Sequence, residues 1–313
     1  MTSAVDSAVA PTSRLARRGI RLGEAGMAYL LNLPALLLIC VLTVLPIISA
    51  FWISLHHYSL RRPDDFSFVG IQNYLDLLAT SDFWNSLYVT LLFTFWTTIL
   101  VLIIAMVVAL VMNEPFRGRG ILRALILLPW AMPGVVNALM WQWVYNGKVG
   151  ILNGALYSVG AIDTYHAWLV ESGTMYPAII FANVWNTFPF SALIFLAALQ
   201  SVPSELYDAS RVDRANVVQR FRYITLPWLV HPILIVLILQ ALGGIRLFDI
   251  IYLLTGGGPG NATSTIGYAA YQTAFLSFNF GLGNAYSYII ALITLAIALI
   301  YMRVLWSRGD VSA

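Results

Sequence analysis

Long apolar runs separated by short polar ones set the pattern of this chain. A helix needs about 20 apolar residues to cross a bilayer. Six such windows can be drawn, over residues 28–55, 87–112, 121–144, 175–199, 229–254 and 285–305. They predict six membrane-spanning helices, with no polar segment large enough to fold as a soluble domain. Composition agrees: 60% of residues are hydrophobic and 10% charged, with mean hydropathy +0.80, where a globular domain has roughly a quarter charged. The expectation is an all-α polytopic membrane protein.

The most informative polar stretch is residues 203–227, PSELYDASRVDRANVVQRFRYITLP. It carries Glu205, Asp208, Arg211, Asp213, Arg214, Arg220 and Arg222 and must protrude into water. Pro203 and Ser204 suit a helix start, proline in the first turn and a serine oxygen as a cap. Leu206, Ala209, Val212 and Asp213 then recur at helical spacing, and Phe221, Ile224 and Leu226 lead back into apolar sequence. A short amphipathic element held between two spanning helices suits a docking handle for a soluble partner.

Positive charge fixes the orientation. With the N-terminus in the cytoplasm, the inner segments hold Arg14, Arg17, Arg18, Arg21, Arg117, Arg119, Arg123, Arg211, Arg214, Arg220, Arg222, Arg303 and Arg308, thirteen of the 17 basic residues. Arg61, Arg62 and Lys148 lie outside, and Arg246 falls within an apolar run. This positive-inside bias puts both termini and the 203–227 loop in the cytoplasm. It also accounts for the pI near 9.0, so the basic balance is no argument for nucleic acid. Residues 1–26 form a polar, basic tail expected to be disordered, and the apolar run after it is too long for a cleaved signal peptide. Residues 27–306 make the membrane domain and 307–313 a short tail. Cys40 stands alone, which excludes an internal disulfide and suits packing toward lipid or core.

Several features inside the apolar runs are costly unless used. Pro129, Pro133, Asn137 and Gln142 interrupt the third run, and Asn183, Asn186 and Pro189 the fourth; neither set belongs on a lipid face. Asn183 and Asn186 share a helix face, on which they either line a solute path or bond between helices. The fifth run holds Gln240, Gly243-Gly244, Arg246, Asp249, Tyr252 and the glycine-rich 255–260. Each ionisable group within a span costs roughly 3 kcal/mol at its centre. Arg246 and Asp249, three apart, are placed to neutralise each other, and the glycines permit a break of the kind that exposes backbone to a solute. The first outer loop, near 56–86, predicts an interfacial helix with Tyr74, Phe83 and Trp84 at headgroup depth. Residues 261–284 hold no Lys or Arg and suit a surface meeting a neutral polar ligand, or a plain wet loop.

Other chemistries find little support. The phosphate-binding pattern G-x-x-x-x-G-K-[S/T] fails at Lys148, where Gln142 replaces the leading glycine and Val149 the hydroxyl residue. His56 and His57 are adjacent, His166 and His231 isolated, and no Cys/His set has metal-ligand spacing. No serine sits in a nucleophile-elbow pattern, so an enzyme is not expected.

The 203–227 loop resembles the EAA loop of permease subunits in ATP-binding-cassette importers. Asp208, Ala209 and Ser210 occupy its E-A-A places, Asp213, Arg214 and Ala215 its D-G-A places, and Phe221 and Leu226-Pro227 its close. Asp208 is one methylene shorter than the usual glutamate. Arg214 replaces a glycine, at about 1 kcal/mol if the turn needs positive φ. Phe68-Val69-Gly70 with Asn73-Tyr74, and Phe248-Asp249 with Ile251-Tyr252 and Leu254 to Pro259, resemble stretches of sugar-importer permeases. The resemblance covers the chain from about residue 28. It implies a type I fold with six helices, a second permease that makes a heterodimer with this chain, two cytoplasmic ATPase subunits holding ATP and Mg, and an extracytoplasmic solute-binding protein. This chain itself would bind no cofactor. It also implies roles. Glu205, Leu206, Asp208, Ala209, Asp213, Ala215 and Phe221 would couple to the ATPase, with Asp208 as a charged anchor, Leu206 and Phe221 packing the element and Asp213 capping its second helix. Asn183, Asn186, Gln240, Arg246, Asp249 and Tyr252 would line the path of a carbohydrate, or of an anionic relative such as a glycerol phosphate ester. The rivals are an ion-driven secondary transporter or channel with Arg246 and Asp249 as relay, and a non-transporting scaffold.

Overall fold

The computed structural model describes residues 24–309. They divide into two compact units, one reaching Ala50 and one beginning at Phe51. The first unit is apolar helix: α1 (Glu24–Ile39), a π-helical turn (Cys40–Val44) and the start of α2 (Leu45–Ser54). Leu31, Leu38, Leu42, Ile47 and Ile48 are exposed, and so is Cys40.

In the second unit the chain first makes a hairpin, β1 (His56–Ser59) against β2 (Arg62–Phe68), antiparallel with His56 opposite Phe68 and an irregular register after His57. The helices α3 (Gln72–Ala79), α4 (Ser81–Asn113), α5 (Arg119–Ala131), α6 (Gly134–Val144), α7 (Ile151–Ser158) and α8 (Ser172–Gln200) follow. Beyond them lie α9 (Ser204–Val212), α10 (Val217–Arg220), a π turn (Phe221–Thr225), α11 (Leu226–Trp228) and α12 (Val230–Ile245). The chain ends in α13 (Asp249–Leu254), α14 (Ile266–Tyr271), a π turn (Gln272–Leu276) and α15 (Phe280–Gly309).

Helix α4 contains neither proline nor glycine and runs unbroken. Its buried Val101, Ala105, Ala109 and Met112 recur at three- and four-residue spacing, and this stripe packs on α8. The small alanines, with Ala178, Ala182 and Ala192 on α8, let the two backbones approach, as membrane helix pairs favour. A second cluster joins Leu77, Phe83, Ile266, Ala269, Ala285 and Tyr286, fastening α3, α14 and α15 around the start of α4.

Among the described residues, four helical stretches are long and apolar enough to cross a membrane: Leu31–Ser54, Ser81–Asn113, Gly173–Gln200 and Phe280–Arg303. The third apolar run is instead a bent pair, Arg119–Ala131 with Gly134–Val144 at 94°, and the fifth begins at a 65° bend between Val217–Trp228, from the preceding polar loop, and Val230–Ile245. Pro133 causes the first bend, because it has no N–H to continue the helix.

Four expectations need correction. The first outer loop is a β hairpin and a short helix, with Phe83 buried in the core rather than at an interface. The fifth run stops at Ile245, short of 254, because Gly243-Gly244 lead into a tightened last turn and Phe248 leaves helical geometry at φ −130°. Residues 261–284 are not a wet loop: Thr263 and Thr265 are fully buried. Helix α15 continues to Gly309, through the start of the expected C-terminal tail. The expected N-terminal tail lies, but for its last residues, outside the described ones.

Candidate functional site

Two places gather the polar residues that an apolar chain would otherwise avoid. The first is the 203–227 loop. Pro203 takes the N-cap position of α9 and Ser204 is its first helical residue, so no side-chain oxygen caps the helix. The C-terminus of α9 is locked more firmly. Arg214 N–H donates to Arg211 C=O at 3.1 Å and Ala215 N–H to Ser210 C=O at 2.9 Å, the paired bonds of a Schellman motif. That motif needs a left-handed residue, and Arg214 supplies it at φ 58°. The position is one where glycine is favoured, and arginine there carries about 1 kcal/mol of strain.

Helix α10 is capped by Asn216, whose Oδ1 accepts from Gln219 N–H at 2.9 Å while Gln219 Oε1 accepts from Asn216 N–H at 2.8 Å. This is a complete capping box, so the cap is Asn216 and not Asp213, which ends α9. Sequence reasoning also passed over Tyr207. Its hydroxyl lies 3.0 Å from that of buried Thr225 and ties α9 to the π turn that closes the loop. A cavity of ≈ 710 Å³ beside this tie is lined by Tyr207, Asp208, Arg211, Phe221 and Thr225, with Glu114 from the end of α4.

The outer face of the loop is open. Val212 is 82% exposed, and Leu206, Val217, Val218 and Tyr223 are also exposed, so Leu206 does not pack the element as expected. Glu205, Ala209 and Asp213 are exposed and Ala215 partly so. Asp208 meets Arg211 at 2.7 Å, with about two-thirds of each side chain in solvent. A pair this exposed contributes at most about 0.5 kcal/mol, so Asp208 is readily given up to another cation.

The second place is a polar hollow of ≈ 210 Å³ at the junction of the breaks, lined by Asn137, Asn183, Asn186, Arg246, Phe248 and Asp249, with Gly134 and Gly243 at its wall. The two breaks thus face one another. Asn186 Nδ2 donates to Pro129 C=O at 2.6 Å, supporting a carbonyl that Pro133 cannot reach and that otherwise holds only Met132 N–H at 3.3 Å. Part of Asn186 is therefore committed to the α5–α6 bend. Asn137 Nδ2 donates to Ala182 C=O at 3.2 Å, while its Oδ1 is buried without a partner. Asn137, noted in the sequence only as an interruption, is the amide with spare capacity here.

Arg246 and Asp249 line this hollow but form no ion pair with each other, contrary to the three-residue spacing. The helix is broken between them: Arg246 closes α12 and Asp249 opens α13. An acid in a first turn is favoured by the helix dipole, and Asp249 needs no arginine to sit there. Both side chains are exposed in the isolated chain. Tyr252 is set back from the hollow, stacked on Phe248 at 5.4 Å. Gln240 lies elsewhere, donating to Ser191 on α8 at 3.3 Å, a bond between helices. The break is braced from behind by Thr265 Oγ1–H to Leu247 C=O at 2.7 Å and by Gln142 Nε2 to Leu253 C=O at 2.9 Å. Gly257, at φ 78°, passes so near the Tyr268 ring that a Cβ would sit 2.6 Å from it. Among the described residues no group of three His, Cys, Asp or Glu is placed to hold a metal ion.

Residues 101–305 match the family described as "Binding-protein-dependent transport system inner membrane component". The trehalose/maltose transport system permease MalF of Thermococcus litoralis is 40% identical over 287 residues, covering 92% of this chain and 96% of that one. The trehalose transport system permease SugA of Mycobacterium tuberculosis is 32% identical over 292 residues, covering 93% and 92%. In fold, the chain resembles a subunit of a bacterial ABC transporter that imports the acidic polysaccharide alginate, with TM-score 0.77 at 21% identity over 89% of this chain and 94% of that one.

Proposed function

The chain belongs to the binding-protein-dependent transport system inner membrane components, and from that premise we propose that it is one permease of an ATP-driven importer that moves a carbohydrate through a path between two such subunits. It is a transport subunit, and ATP is hydrolysed on separate chains. Each bent pair counts as one crossing, giving six spans with both termini in the cytoplasm, as the thirteen inner arginines favour.

One observation carries the coupling role. A helix–turn–helix element locked at its turn, by the Schellman bonds that end α9 and the capping box that starts α10, leaves its apolar side chains Val212, Val217 and Val218 exposed. Exposed apolar groups on a rigid water-facing element mark a protein interface. Closure of two ATPase subunits on ATP would move α9 as a unit, and the Tyr207–Thr225 tie would pass that motion to α11 and α12. The membrane part then switches between two packed arrangements. On the far side, a solute-binding protein would deliver the sugar to the polar hollow. There the amides of Asn137 and Asn183 and the charges of Arg246 and Asp249 can meet hydroxyl groups.

A sugar is the solute that the trehalose- and maltose-transporting relatives favour. Arg246, which no ion pair holds, favours a second reading, an anionic sugar derivative. The test is purification of the complex in detergent followed by coupled transport. An ATPase subunit should be retained, and Asp208→Lys should leave ATP hydrolysis running while sugar uptake fails. Absence of any ATPase partner, or normal coupling in Asp208→Lys, would contradict the proposal.

A further inference from the structure

One set of aromatic rings in the second unit forms a continuous file. It starts at Phe248, on the wall of the polar hollow. Phe248 and Tyr252 stack at 5.4 Å, Tyr252 meets Tyr271 at 5.4 Å, and Tyr271 meets Phe275 at 5.3 Å. The π turn Gln272–Leu276 holds the last of these, and such turns are often found where a helix re-aims a functional side chain. From there Phe275 reaches Phe280 at 5.7 Å, Phe280 reaches Tyr58 at 5.9 Å, and Tyr58 reaches Phe66 on β2 at 5.5 Å. No gap between neighbouring centroids exceeds 5.9 Å over the six steps.

These rings are not simply core. Tyr252 is 44% exposed, Phe275 55% and Phe66 47%; Phe248 stacks on one face of Tyr252 and His56 on one face of Phe66, so the file leaves part of each ring open at its inner end, its middle and its outer end. Tyr268, behind it, is buried. Arg246 and Phe248 line both the polar hollow and a second hollow of ≈ 360 Å³ walled by Tyr271 and Phe275. The file therefore opens directly into the place where amides and charges gather. A run of ring faces ending in charged groups suits neither an acyl chain, which has no use for Asp249 and Arg246, nor a small ion.

We propose that this file is a stacking track for pyranose rings, leading from the hairpin to the polar hollow; the proposal rests on the sugar-importer reading above. The electron-rich face of an aromatic ring attracts the C–H face of a pyranose, whose hydroxyls stay in water. Rings spaced at about one sugar residue let the solute pass from face to face without being held at any one. Tyr58, Phe66, Tyr252, Tyr271 and Phe275 then become determinants of transport rate, in addition to the polar residues at the inner end.

The experiment is uptake of radiolabelled trehalose and maltose by the intact complex, comparing wild type with Phe275→Leu, Phe275→Trp and Phe66→Leu. Leucine keeps apolar bulk and removes the ring face. We expect each leucine variant to lower uptake about fivefold with the same recovery of partner subunits, and Phe275→Trp to keep at least half. Wild-type uptake in both leucine variants would overturn the track while leaving the importer intact. If Phe275→Leu lowers recovery of the complex in step with uptake, and Phe66→Leu changes nothing, the rings hold subunits together and the track is likewise overturned. Uptake of neither sugar by a wild-type complex that hydrolyses ATP would instead sink the sugar reading on which the track depends.

Discussion

Replacing Tyr207 with Phe removes one oxygen and keeps the ring, which isolates the tie between α9 and the return of the loop. The hydroxyls of Tyr207 and Thr225 are 3.0 Å apart, and Thr225 is only 4% exposed. A buried hydroxyl that loses its partner costs about 1–3 kcal/mol. Thr225 can rotate its hydroxyl toward the helix backbone, so the lower end, about 1 kcal/mol, applies. If α9 is a lever, that amount weakens its fixed orientation about fivefold. In proteoliposomes carrying the purified complex, solute moved per ATP hydrolysed should fall about fivefold in Tyr207→Phe, with subunit recovery unchanged. Thr225→Val should do the same, and the double variant should be no worse than either single one, because both remove one interaction. A wild-type ratio in Tyr207→Phe, or losses that add in the double variant, would refute the reasoning.

Three further outcomes follow from close approaches and carbonyl partners. In Gly134→Ala the new methyl would sit 2.9 Å from Asp249 Oδ2, narrowing the polar hollow; uptake should fall at least threefold while the thermal midpoint of the purified complex moves little. Gly244→Ala would place a methyl 2.3 Å from Thr94 Oγ1, forcing α12 from α4 at about 1–3 kcal/mol, read as a lowered midpoint in detergent. Asn186→Leu strips the 2.6 Å bond from Pro129 C=O and should cost about 1 kcal/mol, again visible as a lowered midpoint, whereas Asn183→Leu, whose side chain supports no such carbonyl, should change uptake more than stability.

Much of the fold was legible because a bilayer forces long apolar runs, and the 203–227 loop was legible because charge cannot stay among them. What periodicity could not give was the geometry of the breaks. Arg246 and Asp249 looked paired at helical spacing, yet Phe248 leaves the helix between them and sends them apart along the same hollow. The hairpin at His56–Phe68 was hidden because its aromatics read equally well as an interfacial helix; its strands are visible only through the pairing of His56 with Phe68. The cap on α10 was present in the sequence as Asn216 followed three residues later by Gln219, a capping-box pattern that the charged Asp213 upstream obscured. Asn137 had no signal to set it apart from the other amides, since only packing reveals that its Oδ1 is left without a donor.

The central claim is that the element between α8 and α12 faces the cytosol and is gripped there by a separate ATPase. Cys40 is the chain's one cysteine, so Cys40→Ser combined with Val212→Cys leaves a single thiol at the most exposed apolar position of that element. A membrane-impermeant thiol reagent applied to intact cells should leave it unlabelled, label it in inside-out vesicles stripped of ATPase, and be blocked when the ATPase is restored. Labelling of Val212→Cys from outside intact cells would contradict the account.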